Sequence, residues 1–78
     1  MFLEVTKAEY INDFRILMEF NDGVSKTVDL ENELDGEIFQ ALRNKNYFKT
    51  FLIKYNTIEW DNGADFAPEY LYKIGKKT

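Results

Sequence analysis

Hydrophobic and polar residues alternate along the first third of the chain. Apolar residues occupy alternate positions at Phe14, Ile16, Met18 and Phe20, and the charged residues Arg15 and Glu19 lie on the opposite side. A period of two predicts a β-strand with one apolar face. Weaker alternation at residues 3–10 and 24–29 predicts a strand on either side of it. We therefore expect a three-stranded antiparallel meander over residues 2–30.

Turn-forming residues separate these predicted strands. Asp22-Gly23 lies between two strand-like segments, and this dipeptide favours a type I′ hairpin turn. Asn12-Asp13 is expected to join the first strand to the second, although the segment contains no glycine. The pattern predicts two successive hairpins.

The hydrophobic period changes between residues 30 and 51. Leu30 and Leu34 are four apart, which is typical of a helical turn, and Gly36 is placed to end it. A second short helix is predicted around residues 38–42 and one further turn after Asn46. The apolar residues behind these two predictions are Ile38, Phe39, Leu42, Tyr47, Phe48 and Phe51.

The last third of the chain predicts a second hairpin and a helix. Residues 51–55 and 57–60 are expected to pair around Tyr55-Asn56, because asparagine tolerates the left-handed conformation. Asp65 is the expected N-cap of a final helix with Pro68 in its first turn. The predicted apolar stripe of this helix is Ala67, Leu71 and Ile74. Gly75 is expected to end the helix, and residues 76–78 to fray.

These elements predict one small α+β domain over residues 1–78, with helices packed on one side of an antiparallel sheet. The chain has 78 residues and neither cysteine nor histidine. These absences exclude disulfides, thiolate metal sites and histidine-based acid–base catalysis. We therefore expect no catalytic residue, no metal and no cofactor, and a protein that is not an enzyme.

The N-terminal residues lack the basic region and long apolar segment of a signal peptide, and no apolar stretch is long enough to span a membrane. A cytoplasmic location without membrane attachment is expected. The net charge of −4 disfavours binding to nucleic acid and favours a basic partner.

Acidic residues alternate through residues 29–37. They form a solvated face or a functional patch for a basic partner or a divalent cation, with Glu31, Glu33 and Asp35 at its centre. A second group, Asp61, Asp65 and Glu69, resembles a calcium loop only superficially. An EF-hand needs glycine at its sixth position and glutamate at its twelfth, where this chain has Phe66 and Tyr72.

Aromatic residues near the C-terminus are candidates for partner binding, because Trp and Tyr are enriched in binding hot spots. Trp60 either anchors the core or contributes to an interface, and Tyr70 and Tyr72 are expected at the surface. With Asp65 and Glu69 they form the second half of the predicted partner-binding set. Pairing through an exposed strand edge, including homodimerisation, is also open.

A nucleic-acid interface is the alternative from a different functional class. Basic residues are interleaved with aromatic ones between positions 43 and 55, as in proteins that bind single strands. The candidate residues are Arg43, Lys45, Lys49 and Lys54.

The C-terminal stretch resembles a small bacterial family catalogued as domain of unknown function 2442. Members of that family carry a W-x-N-G-x-D-x-x-P-E-x-L-Y pattern. The residues of this chain that match the pattern are Trp60, Asn62, Gly63, Asp65, Pro68, Glu69, Leu71 and Tyr72. Asp61 departs from the family, in which many members have proline at this position.

The resemblance implies a small α+β domain with an N-terminal meander. Family members are often encoded beside another short protein, in arrangements that look like toxin–antitoxin modules. The resemblance thus implies an antitoxin-like or partner-binding role, with a small basic toxin as the partner. Some longer relatives add a helix-turn-helix domain, a role not expected to carry over to this chain. The family brings no established catalytic residues.

Overall fold

The computed structural model describes residues 2–78. The strands are β1 Val5–Asn12, β2 Arg15–Phe20, β3 Ser25–Asp29, β4 Leu52–Lys54, β5 Thr57–Glu59 and β6 Lys76–Lys77. Two 3₁₀ helices span Glu31–Glu33 and Glu37–Arg43, and two α-helices are α1 Lys45–Phe48 and α2 Pro68–Ile74. The larger sheet has the order β1-β2-β3-β6, and the smaller sheet pairs β4 with β5. The predicted α+β class is confirmed.

The meander has the register that its alternating pattern requires. Ile16 lies opposite Tyr10 on one side and Val28 on the other. Ile16, Met18 and Phe20 are buried, as is Val28. The intervening residues of β2 are more exposed. The alternation at residues 14–20 therefore selected the buried face of the sheet correctly, and the helices and the second hairpin contribute the rest of the core.

The turn between β2 and β3 differs from the predicted type I′. A type I′ turn needs positive φ at both central residues, but only Gly23 has it, with φ 86°. The Phe20 N–H donates to the Val24 carbonyl, so three residues form the loop. The Asp22 carboxylate accepts the Val24 N–H at 2.9 Å, and this side-chain bond supports the wider turn.

The second hairpin forms without glycine. Tyr55 and Asn56 have φ values of 52° and 75°, and Lys54 lies opposite Thr57. Two central residues with positive φ define a type I′ turn. The Asn56 carbonyl accepts the Val5 N–H at 2.9 Å, which attaches the hairpin tip to the start of β1. The prediction of a hairpin around residues 55 and 56 is confirmed.

The middle of the chain is helical, as predicted, but largely in 3₁₀ form. Leu30, Leu34 and Leu42 are all buried, so the segment is fixed mainly by its leucines. Asn44 caps α1, and its side-chain oxygen accepts the Asn46 N–H at 2.9 Å. These helical pieces are too short to be stable alone and depend on this packing.

Trp60 lies at the centre of an aromatic core. Its side chain is 1% exposed, and its indole N–H donates to the Phe48 carbonyl at 2.9 Å. The rings of Phe48, Phe51 and Phe66 surround it at centroid distances of 5.6, 6.2 and 6.1 Å. Of the two interpretations of Trp60, the core anchor is the one that the burial supports.

Helix α2 begins later than predicted. Its first residue is Pro68, and the capping residue is Ala67, which makes no side-chain cap. Proline disfavours helical backbone in the preceding residue, and Ala67 is extended, with ψ 138°. The prediction that Asp65 is the N-cap is therefore wrong. Asp65 instead forms a β-bridge with Glu59.

The predicted fraying after Gly75 is also wrong. Gly75 ends α2, and its N–H donates to the Leu71 carbonyl at 2.9 Å. The next two residues form β6, in which Lys76 lies opposite Thr27 and Lys77 opposite Lys26. Backbone pairing with β3 thus orders this segment.

Candidate interaction surface

The acidic segment, residues 29–37, lies at the surface and includes the 3₁₀ helix Glu31–Glu33. Glu31, Asp35 and Glu37 are exposed, whereas Glu33 is half-buried. A positive φ of 93° at Gly36 turns the backbone between the two 3₁₀ helices. The alternating carboxylates thus lie on a short irregular segment, as the sequence indicated.

Tyr70 joins α2 to this segment. Its hydroxyl donates to the Glu33 carboxylate across 37 positions of sequence. The Glu33 carboxylate raises the pKa of Tyr70, first through this hydrogen bond, and partial burial raises it further. Since the Tyr70 side chain is still 39% exposed, it remains accessible to a partner. Glu69, next to it on α2, is exposed as well.

We call Glu31, Glu33, Asp35, Glu37, Glu69 and Tyr70 the acidic surface. Only Asp35 among its carboxylates forms a salt bridge within residues 2–78, to Arg43 at 3.8 Å. Both partners are largely exposed, so solvent screens this pair. The acidic surface therefore keeps most of its negative charge.

Tyr72 lies in a different place from Tyr70. Its hydroxyl donates to the Asp22 carboxylate at 2.7 Å, and its ring packs edge-on against Phe20. The buried Lys26 places its ammonium 3.8 Å from the ring centroid and donates to the Tyr72 carbonyl at 2.5 Å. This group attaches α2 to the meander and is separate from the acidic surface.

Hydrogen bonding also shifts the pKa values of Asp22 and Tyr72. The pKa of Asp22 is lowered, mainly because its carboxylate accepts the Val24 N–H, and secondly because it accepts the Tyr72 hydroxyl. The pKa of Tyr72 is raised, mainly by the same hydrogen bond to Asp22. Both shifts follow from bonds that hold the fold together.

The predicted partner-binding set thus divides into two groups. Glu31, Glu33, Asp35, Glu69 and Tyr70 belong to the acidic surface. Trp60, Asp65 and Tyr72 hold the fold, since the first is buried, the second forms a bridge to β5 and the third anchors α2.

The basic residues of the nucleic-acid alternative are partly paired. Lys45 donates to the Asp13 carboxylate at 3.1 Å, and Arg43 donates to the Leu34 carbonyl beside its salt bridge with Asp35. Lys49 lies 5.3 Å from the centroid of the Tyr10 ring, and Lys54 lies 5.7 Å from that of Tyr55. Two of the four cations are therefore partly neutralised by carboxylates.

Two surface concavities have volumes of about 390 and 320 Å³. The larger lies on the outer face of the meander and includes Lys7, Leu17 and Glu19. The smaller lies beside β4 and includes Leu52, Lys54 and Asp61. Neither concavity is lined by Asp65 or Glu69.

Among residues 2–78, no cluster of three or more acidic side chains is arranged to hold a metal ion. No helix in this part of the chain has the length and hydrophobicity to cross a membrane.

Residues of the C-terminal motif mainly stabilise the fold. Asn62 donates to the Ile38 carbonyl at 3.1 Å and accepts the Ala64 N–H at 3.0 Å. Gly63 has φ 91°, which favours glycine, and Leu71 is fully buried. Together with Trp60 and Tyr72, these residues connect the loop after β5 to the rest of the core.

These features define a small α+β domain in which an N-terminal meander carries a second hairpin and a C-terminal helix. The family model described as a protein of unknown function (DUF2442) matches residues 5–77, so the chain belongs to this family. No match was found among the curated proteins or the solved structures.

The sequence analysis did not predict three features of the structure. Lys26 was not singled out, because nothing in an alternating strand indicates that a lysine will be covered by a distant helix. Tyr47 was used only to predict a helical turn and as an aromatic residue of the nucleic-acid alternative, but its hydroxyl donates to Asp61 and accepts the Asn62 N–H. The third is the exposed apolar pair Leu52 and Ile53. Adjacent apolar residues in a short strand were the available signal for it.

Proposed function

We propose that this chain is a non-enzymatic protein-interaction domain that binds a basic protein partner through its acidic surface. The observation that carries the proposal is the hydrogen bond from Tyr70 to Glu33, which joins an exposed aromatic side chain to the acidic segment. The family's gene arrangements support an antitoxin-like role, with the product of a neighbouring small gene as the partner. A cytoplasmic location is part of this proposal.

Charge and aromatic content give the surface two separate contributions to binding. Carboxylates such as Glu31 and Glu37, which form no salt bridge within residues 2–78, would attract a basic partner and raise the association rate. Tyr70 would supply contact area at little entropic cost, because its hydroxyl is already held by Glu33. The proposal thus predicts a complex whose formation weakens with salt.

The test is co-expression of the tagged chain with the product of the adjacent short open reading frame, followed by titration of the purified proteins. Glu31→Lys should lower the association rate about tenfold at low salt, since it reverses a charge on the acidic surface. Glu9→Lys is the matched control, because it makes the same change in net charge at an exposed position of β1. A folded chain that forms no complex, or equal effects of the two substitutions, would overturn the proposal.

Nucleic-acid binding remains the second candidate, supported by the contacts of Lys49 and Lys54 with exposed or half-buried tyrosines. Such lysine–tyrosine pairs can bind phosphate and stack on bases. We favour a protein partner, because Asp35 and Asp13 partly neutralise Arg43 and Lys45. A mobility shift at low salt that Lys49→Glu abolishes would reverse this preference.

A further inference from the structure

The strand edges of this protein differ in how they are protected from other chains. The outer edge of β1 is interrupted by irregularities between Val5 and Lys7 and between Tyr10 and Asn12. Bulges and charged side chains discourage edge-to-edge pairing. The far edge of β3 is partly covered by β6, and the far edge of β5 by the bridge from Glu59 to Asp65.

Within residues 2–78, strand β4 has neither a bulge nor a covering strand, and its only protections are its short length and the charge of Lys54. Within residues 2–78 it pairs only with β5, and its register is regular. Leu52 and Ile53 are 69% and 43% exposed, and the adjoining Tyr55 is 82% exposed. An open edge with exposed apolar side chains is a template for pairing with another strand.

The hydrogen-bonding groups on this edge belong to Ile53. Lys54 and Thr57 close a two-residue turn, so they form a hydrogen-bonded pair. Hydrogen-bonded and non-hydrogen-bonded residue pairs alternate along an antiparallel ladder. Ile53 and Ile58 are therefore a non-hydrogen-bonded pair, and Leu52 and Glu59 are a hydrogen-bonded pair. The N–H and C=O of Ile53 therefore point away from β5 and toward the open edge.

We infer that β4 pairs with β4 of a second copy of this chain, antiparallel and centred on Ile53. The two outward groups of Ile53 complete one hydrogen-bonded pair with the same two groups of its symmetry mate. Centring on Leu52 or Lys54 is excluded, because their backbone groups already bond to β5. The edge is self-complementary in only this register within β4.

The side chains agree with this arrangement. Antiparallel pairing on Ile53 places Leu52 opposite Lys54 of the second copy, whereas parallel in-register pairing would oppose two lysines. Glu59 of β5 is paired with Leu52 and lies on the same face of the sheet. It is therefore two strand spacings, about 9.6 Å, from Lys54 of the second copy. A lysine side chain can extend over leucine toward this carboxylate, and the symmetry makes the contact twice.

Strand β4 shares no residue with the acidic surface, so substitutions can test dimerisation and partner binding one at a time. A three-residue strand makes a small interface, and small interfaces bind weakly. We expect dimers only at high protein concentration, with a dissociation constant of roughly 10 µM to 1 mM. Sedimentation velocity of the purified full chain across that range measures it directly.

Two substitutions distinguish pairing at the β4 edge from nonspecific hydrophobic association. Ile53→Pro removes the outward N–H without removing a bond of the β4–β5 ladder, and should weaken dimerisation at least tenfold. Phe2→Ala is the matched control, because it removes an exposed apolar side chain that is not part of β4.

Amide hydrogen exchange supplies a readout that needs no substitution. Protection of the Ile53 amide should rise with protein concentration, whereas the Leu52 and Lys54 amides should be protected at every concentration. A chain that stays monomeric at about 1 mM, or an Ile53 amide whose exchange is independent of concentration, would overturn the inference. So would a dimer that Ile53→Pro leaves intact while the variant remains folded by circular dichroism.

Discussion

Replacing Trp60 with phenylalanine should be among the most destabilising single changes in this domain. The substitution removes about three buried heavy atoms, which costs about 2 kcal/mol in lost transfer and packing energy. It also removes the indole N–H that donates to the Phe48 carbonyl, and leaving that buried acceptor without its donor costs about 1–3 kcal/mol. Together these losses are about 3–5 kcal/mol.

A loss of this size is a large part of the total stability. A domain of 78 residues typically unfolds with a free energy of about 4–12 kcal/mol. The thermal midpoint should fall by at least about 12 °C, since each kcal/mol moves the midpoint of so small a domain by about 4–8 °C. The variant is therefore expected to be partly unfolded near 37 °C.

Urea unfolding followed by far-ultraviolet circular dichroism is the suitable assay, because Trp60 is the only tryptophan and its fluorescence is lost with it. Chemical synthesis with benzothienylalanine at position 60 keeps the ring size but replaces the N–H by sulfur, so it isolates the hydrogen bond at about 1–3 kcal/mol. Phe2→Ala, at an exposed aromatic, should stay within about 0.5 kcal/mol of the parent. A Trp60→Phe variant that loses less than about 1 kcal/mol would refute the reasoning.

Two further substitutions test the attachment of α2. Gly75→Ala would normally stabilise by about 0.4–1 kcal/mol at negative φ, but here the new Cβ would lie 2.9 Å from the Lys26 Cβ and 3.0 Å from the Leu71 carbonyl oxygen. We expect a net loss of about 1–2 kcal/mol in urea unfolding, and a gain in stability would contradict it. Tyr72→Phe should raise the pKa of Asp22 in a carboxyl NMR titration, because the carboxylate loses the hydrogen bond from the Tyr72 hydroxyl while the larger effect of the Val24 N–H remains. The parent gains stability from Asp22 above the unfolded pKa and loses it as pH falls through the lower folded pKa, so the variant should lose less stability on acidification. An unchanged Asp22 pKa would show that Tyr72 does not act on this carboxylate.

Local patterns in the sequence predicted most of the fold. The alternation around Ile16 identified the buried face of β2, and turn residues located the three hairpin loops. Errors arose where a distant or neighbouring group decided the outcome. Pro68 delayed the start of α2, and pairing with β3 ordered residues that local propensity left to fray.

The candidate site was less predictable, because its parts are far apart in sequence. Nothing local relates Tyr70 to Glu33, or indicates that Tyr72, two residues later, anchors the meander instead. The adjacent apolar residues Leu52 and Ile53 were a weak signal, since such a pair suits a core strand as well as an open edge. Composition suggested the class of interaction that we propose, whereas tertiary contacts selected the candidate residues.

The attachment of α2 across the chain also has a consequence for the order of folding. The hairpins close short loops, but the bond from Lys26 to the Tyr72 carbonyl spans 46 positions and that from Tyr72 to Asp22 spans 50. Contacts of such long range cost more loop-closure entropy and form late in folding. The meander can therefore assemble before α2 docks, and Tyr70 reaches Glu33 only with that docking. A newly made chain would thus acquire its acidic surface in the closing step of folding, so the proposed binding of a partner would depend on completion of the domain.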